Sequence, residues 1–410
     1  MIQLLAIVLM SLLYCWSFYN LPIVLAGMRK AQRKFEESTA SRECFPFVSI
    51  IVPAKNEGTV IDRCLESLMS VDYPRNRFEV LVVEDGSFDN TVSICNDFVL
   101  NYPDIVKVVR NPVSSGKPKA LNYGLKFVKG DVVAVFDADS VVSKDVLIRA
   151  VKYFDEESVV AVQGKQCCLN KEENMLTTFV SYENKVWHES YLCGKDSLGL
   201  FVAITGSCYF VRRDVLFDLG GWRDEALSED MELAASLANR GYSVKYASDV
   251  CCWQENARAS LGQFFTQRVR WFRGCMEASV QYGTLMKKPS FVKIDAEITL
   301  MGSFLIASGL IGYFLALMSY VFPFSFDSVF LTLVSSFLVS LLLIVVGLGL
   351  VFFSKPRKLG NLLWLPFIYC YWMLQTFIAS YALFLIVFRR PKRWKKTDKN
   401  GKITSFETLD

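Results

Sequence analysis

Asp131-Val132-Val133-Ala134-Val135-Phe136-Asp137-Ala138-Asp139 is the stretch that decides the fold. Five apolar residues in a row, most of them β-branched or aromatic, read as a strand buried on both faces. The run stops at two carboxylates separated by one small residue. Ligands of open α/β sheets bind beyond the carboxyl ends of the strands, so acids at that point indicate a site. A solvated turn would carry the same residues, but a similar arrangement recurs upstream. Phe47 to Val52 is an apolar run followed by the polar loop Pro53-Ala54-Lys55-Asn56-Glu57-Gly58, and Phe78 to Val83 is followed by Glu84-Asp85-Gly86-Ser87.

Helical spacing separates these strands. Val60, Ile61, Cys64, Leu65 and Leu68 share a face, and Asn90 to Leu100 and Lys119 to Phe127 follow the same period. Ile105 to Val109 adds another strand. Strands alternating with helices predict an α/β domain with a mainly parallel sheet and helices on both faces. Beyond Val162 the alternation loosens. Glu172 to Tyr191 reads as one polar helix with an aromatic face. Short strands are expected at Phe201 to Ile204 and Tyr209 to Val211, around Thr205-Gly206-Ser207-Cys208. Met231 to Asn239 is helical and Val244 to Ala247 strand-like.

Asp137 and Asp139 repel each other unless a cation sits beside them. Their hard oxygens and incomplete shell favour Mg²⁺ or Mn²⁺, which completes its coordination with phosphates. Asp85, at a strand-to-helix turn, suits hydrogen bonding to a base or ribose; a helix cap is the competing role. No G-x-G-x-x-G and no Gly-Lys-Ser/Thr occurs, which argues against dinucleotide and P-loop sites. Gly116-Lys117-Pro118-Lys119 is either a phosphate-facing pair of cations or an exposed loop. Glu229 and Asp230 open a helix, where acids serve its dipole or act as a general base. Gln267, Arg270 and Trp271 share a helical face, with Arg268 beside them. An arginine can clamp a diphosphate and an indole can floor a sugar ring; an interfacial basic-aromatic helix would look alike.

The chain has 410 residues, 52% of them hydrophobic, and a net charge of only +4. That charge gives no nucleic-acid footprint. The 12 cysteines show no C-x-x-C spacing and read as free thiols of a reducing compartment. Residues 1–27, 298–323, 328–353 and 361–388 carry no charge, and each exceeds the roughly 20 residues needed to span a bilayer. Arg29, Lys30, Arg33 and Lys34 directly follow the first. The positive-inside tendency puts residues 28–297 in the cytosol and predicts a multi-pass protein of the cell membrane. Residues 298–323 and 328–353 form a hairpin. A crossing at 361–388 would leave the basic residues 389–399 outside, against that tendency, so this stretch either lies in the interface, re-enters or crosses. The boundaries are an anchor at 1–27, a basic linker at 28–46, the α/β domain at 47–257, interface helices at 258–296, membrane or interfacial helices at 297–388 and a basic tail at 389–410.

Together these motifs resemble the membrane-integrated family 2 glycosyltransferases, which include cellulose, chitin, hyaluronan and poly-N-acetylglucosamine synthases and ceramide glucosyltransferases. The likeness rests on Pro53 to Glu57, Asp85, Asp137/Asp139, Glu229-Asp230 and Gln267 to Trp271. Gly206-Ser207 with Arg212-Arg213 resembles their acceptor loop, and Trp394 to Lys399 a tail motif of some members. Family members usually have threonine where Ser228 stands. The resemblance implies a GT-A fold and an inverting transfer. Nucleotide-sugar ligands would be Pro53, Ala54, Asn56, Glu57, Asp85, Lys117, Asp137 and Arg270. Asp139 with Asp137 would hold Mg²⁺ or Mn²⁺, Asp230 with Glu229 would be catalytic, and Gly206, Ser207, Gln267 and Trp271 would bind the acceptor. A UDP-sugar is favoured over a GDP-sugar. The expected function is a processive β-glycan synthase. The alternatives are transfer of one sugar to a lipid and a non-catalytic membrane receptor or scaffold. Three or four hydrophobic segments are a thin wall for a channel unless chains associate as a homo-oligomer.

Overall fold

The structure is a computed structural model. It describes residues 2–31, 45–111, 114, 116–171, 173–255, 260–283, 289–321, 363–392, 399 and 401, with isolated positions between 329 and 340. Eight strands form one sheet: β1 (Val48–Ala54), β2 (Phe78–Glu84), β3 (Val106–Arg110), β4 (Val132–Val135), β5 (Val141–Val142), β6 (Val159–Cys168), β7 (Tyr209–Arg212) and β8 (Ser243–Gln254). Their order is β3-β2-β1-β4-β7-β6-β8-β5. The first four run parallel, β7 is antiparallel to both neighbours, and β8 returns parallel to β6.

The helices are α1 (Ile2–Ala31), α2 (Ile61–Met69), α3 (Thr91–Asn101), α4 (Lys117–Leu125), α5 (Val146–Lys152), α6 (Met175–Val186), α7 (Cys193–Ser197), α8 (Arg213–Asp218), α9 (Glu229–Arg240), α10 (Leu261–Tyr282), α11 (Phe291–Val321) and α12 (Leu365–Val387). Alternate residues of each strand feed opposite cores. Ile50, Val52, Val80 and Val82 pack against α2, α3 and α5; Ile51, Val83, Val133 and Val135 pack against α4, α8 and α9. The doubly covered sheet follows from those apolar runs.

Two expectations change. Phe201 to Ile204 is buried but forms no strand, because side chains take neighbouring backbone donors: Asp295 Oδ2 accepts from Phe201 N–H at 2.7 Å and Gln163 Oε1 from Thr205 N–H at 2.9 Å. The single helix expected over 172–191 is an α-helix, capped reciprocally by Asn174 and Thr177, that turns into a π-helix at Trp187–Leu192.

Among the described residues, Phe291–Phe314 and Leu365–Val387 are long and apolar enough to cross a membrane. Residues 328–353 lie outside the described set apart from isolated positions, as do most of the linker and tail. Pro366 falls in the first turn of α12, where a missing N–H costs nothing, so the helix is unbroken. Both its ends meet the α/β domain or α10. Trp364 packs edge-on to Phe179 at 5.7 Å, while Arg273 donates to Arg390 O at 2.7 Å and Lys392 pairs with Glu277 at 2.8 Å. On its other side Ser380 donates to Ala307 O of α11 at 3.1 Å.

Candidate active site

The parallel register brings three polar turns side by side. β1 lies between β2 and β4, so the turns after Ala54, Glu84 and Val135 share one edge. β7 starts opposite Val135 and brings Gly206-Ser207 to the same edge. The loop after β1 is stitched to the one after β2. Asn56, in the left-handed region at φ 52°, donates its N–H to Ser87 Oγ at 3.0 Å and accepts from Phe88 N–H at 2.7 Å. Glu57 N–H donates to Thr91 Oγ1 at 2.8 Å, while Pro53 and Ala54 remain in the β1 ladder. Asp85 is buried and accepts from Asn111 Nδ2 at 2.7 Å and Gly116 N–H at 3.1 Å.

Lys117 starts α4 and turns inward, whereas Lys119 is exposed. Its ammonium donates to Asp137 Oδ1 at 2.7 Å and Gly206 O at 2.7 Å and pairs with Glu229 Oε1 at 3.1 Å. Burial alone would lower its pKa, but Asp137 and Glu229 override that and leave it raised. Asp137 N–H donates to Ser207 Oγ at 3.0 Å. Gly206, at φ +81°, lets the backbone pass Asp230, whose Oδ2 would lie 3.2 Å from a Cβ there.

Asp230 stands at the start of α9, where Oδ1 accepts from Met231 N–H at 2.8 Å. Burial first, then the charge of Glu229, pushes its carboxyl up to about 7, with Lys117 and Arg270 opposing. α10 closes the cleft. Gly274 presses on Ser228, and Arg270 donates to Leu227 O at 2.7 Å. Trp271 sits under Arg268, whose guanidinium lies 4.4 Å from the ring centroid. Arg268 also donates to Glu183 Oε2 at 2.6 Å and Tyr371 Oη at 3.3 Å. Gln267 is half-buried on the same helix. Arg212 and Arg213 do not join Gly206-Ser207. They stand at the far end of β7, bonded to carbonyls of Val159, Phe154 and Lys129, because a strand separates them from the loop.

Asp139 is 1% exposed, and its Oδ1 has no hydrogen-bond partner among the described residues. No group of three or more His, Cys, Asp or Glu side chains forms a metal cage among them. A buried, half-satisfied carboxylate with Asp137 nearby fits a hard divalent cation that draws its remaining oxygens from a ligand. Sequence reading gave no individual role to Arg268, Glu183, Asn111 or Lys399, the last of which pairs with Asp139. Only Arg268 and Lys399 had a signal, each lying inside a motif.

The fold is of the GT-A class. The mannosyltransferase PcManGT from Pyrobaculum calidifontis, solved with GDP-Man and Mn²⁺, matches 95% of this chain and 100% of its own at TM-score 0.65 and 18% identity. Residues 46–274 match the family described as glycosyltransferase like family 2, and the chain belongs to that family. "Probable glycosyltransferase YdaM" of Bacillus subtilis is 31% identical over 65% of this chain and 64% of its own length. A β-monoglucosyldiacylglycerol synthase of Nostoc is 31% identical over 69% of this chain and 59% of its own. The poly-β-1,6-N-acetyl-D-glucosamine synthase of Staphylococcus epidermidis is 29% identical over 55% and 54%. The match thus spans about three fifths of these curated relatives' length.

Proposed function

We propose that the chain is an inverting glycosyltransferase that moves a sugar from a nucleoside-diphosphate sugar to a hydroxyl acceptor at the cytosolic membrane face. The supporting observation is the meeting of Asp137, Gly206 and Glu229 around the Lys117 ammonium at the strand ends, with Asp230 against Gly206. Pro53, Ala54, Asn56, Glu57 and Asp85 form the nucleotide end. Lys117 and Arg270 face the diphosphate, and Gly206, Ser207, Gln267 and Trp271 receive the acceptor. Asp139 and Asp137 would hold Mg²⁺ or Mn²⁺, which when bound supplies positive charge to the diphosphate oxygens.

Asp230, poised near neutrality, takes the acceptor hydroxyl's proton. The acceptor oxygen bonds to the anomeric carbon from the face opposite the diphosphate. The bond from that carbon to the leaving oxygen breaks, its electron pair departs with the nucleoside diphosphate, and configuration inverts. Lys117 and Arg270 stabilise the leaving charge.

The acceptor is a growing β-glycan, for which Trp271, backed by Arg268, is a flat apolar platform. Likeness to the poly-β-1,6-N-acetyl-D-glucosamine synthase supports this reading. A lipid acceptor is the second reading. It is favoured by the aromatic wall of Phe179, Phe264 and Tyr371 beside the platform and by the glucosyldiacylglycerol synthase relatives. The test is release of nucleoside diphosphate by the purified full chain from a panel of UDP- and GDP-sugars. Release lost in Asp230→Asn, with nucleotide binding retained, supports the mechanism; no release from any sugar overturns it. A product ladder marks the glycan, and one lipid-soluble spot the lipid.

A further inference from the structure

Lys399 and Gly401 touch the catalytic cleft from the far end of the chain. The Lys399 ammonium pairs with Asp139 Oδ2 across 260 positions of sequence, and its side chain is 14% exposed. Gly401 anchors the same segment. Its N–H donates to Glu255 Oε1 at 3.1 Å, the oxygen that Arg63 also holds at 2.8 Å. Gly401 lies at φ +60°, pressed on Thr59, so that a Cβ there would strike Thr59 O. The Gly401 backbone is therefore wedged between Thr59, just ahead of α2, and Glu255, just beyond β8, with Lys399 on Asp139.

That carboxylate has one oxygen on Lys399 and the other unpartnered among the described residues. A tethered monovalent cation thus already neutralises the carboxylate that a divalent cation would need. A metal on the open Oδ1 would face the ammonium on Oδ2 across a single carboxyl group, where two cations repel. We propose that Lys399 is a built-in stand-in for the divalent cation, capping Asp139 in the metal-free chain and leaving, with the Gly401 anchor, when the cation binds. This rests on the reading of Asp139 as a cation ligand.

The experiment titrates Mn²⁺ alone into the full-length chain in detergent, following free Mn²⁺ by electron paramagnetic resonance. If only the uncapped fraction binds, removing the cap in Lys399→Ala lowers the apparent Kd about tenfold. Lys399→Arg, which keeps a cation on the tether, stays near the wild type. In the wild type, Mn²⁺ also speeds hydrogen exchange at the Gly401 amide as the Glu255 bond is released. That readout stands even if Lys399→Ala fails to fold. Equal Mn²⁺ affinity with and without Lys399, or an unmoved Gly401 amide while Mn²⁺ binds, overturns the stand-in and leaves the cation site intact. Failure of every variant to bind Mn²⁺, with Asp139→Asn indistinguishable from the wild type, removes the cation site itself and the stand-in with it.

Discussion

Asp230 carries opposite consequences for stability and for turnover. Its carboxyl is raised from 3.8 to about 7 in the folded chain, so the folded state binds the extra proton between those values. Ionised Asp230 therefore costs stability, little below the unfolded value and most above about 7. Asp230→Asn should raise the melting temperature in detergent at pH 8 by a few degrees, with no gain at pH 4. The same change should lower turnover about 100- to 10,000-fold, the usual contribution of a general base. Turnover of the unaltered chain should rise with pH through about 7, since the base acts ionised. Lys117 lowers the pKa of Asp230. Lys117→Met should accordingly move the acid limb of the pH profile to higher pH; a limb that stays or moves down would remove Lys117 as the charge partner. Sequence reading left Lys117 between a phosphate ligand and an exposed loop. Its direction depends on where α4 begins and on Gly206 O, which arrives from another part of the sheet.

Helix α10 reaches the site only because α9 lets it approach. Gly274 has no room for a Cβ, which would strike Ser228 Oγ at the start of α9. Gly274→Ala should cost about 1–3 kcal/mol as α10 is pushed away. It should also weaken turnover more than donor binding, because Arg270 and Trp271 move with the helix while Asp85 does not. A variant with normal turnover and a lowered melting temperature would show that α10 positions nothing. The pattern Gln267 to Trp271 was legible as a face of a helix, and its partner was not. Glu183 reaches Arg268 from 85 positions away and Tyr371 from 103, separations on which periodicity is silent. The parallel half of the sheet was legible for the opposite reason. Each of its strands is a short apolar run with its own turn, whereas Phe201 to Ile204 has strand composition but its first N–H goes to Asp295 and that of the following Thr205 to Gln163.

Charge along the chain could not decide how residues 361–388 meet the membrane, because the apolar run and the basic tail pull in opposite directions. Contacts at both ends of α12 bear on the question. Its start meets α6 through Trp364 and Phe179, and the residues just beyond it meet α10 through Arg390 and Lys392. A helix of 23 residues is about 34 Å long at 1.5 Å per residue, enough to cross a bilayer if it stood upright. It packs along both α10 and α11; α10 carries Arg270 and Trp271 of the proposed site, and Lys399 and Gly401 return to that site. Both flanks of α12 should therefore face the compartment that holds the sheet. In a chain cleared of Cys44 and of Cys15 and Cys370, the exposed cysteines among the described residues, Lys126→Cys on the α/β domain and Lys392→Cys beyond α12 should react with a membrane-impermeant maleimide from the same side of sealed vesicles. Labelling of the two from opposite sides would make α12 a crossing helix. It would also break the contacts of Lys392 with Glu277 and of Lys399 with Asp139, since neither pair can form through a bilayer.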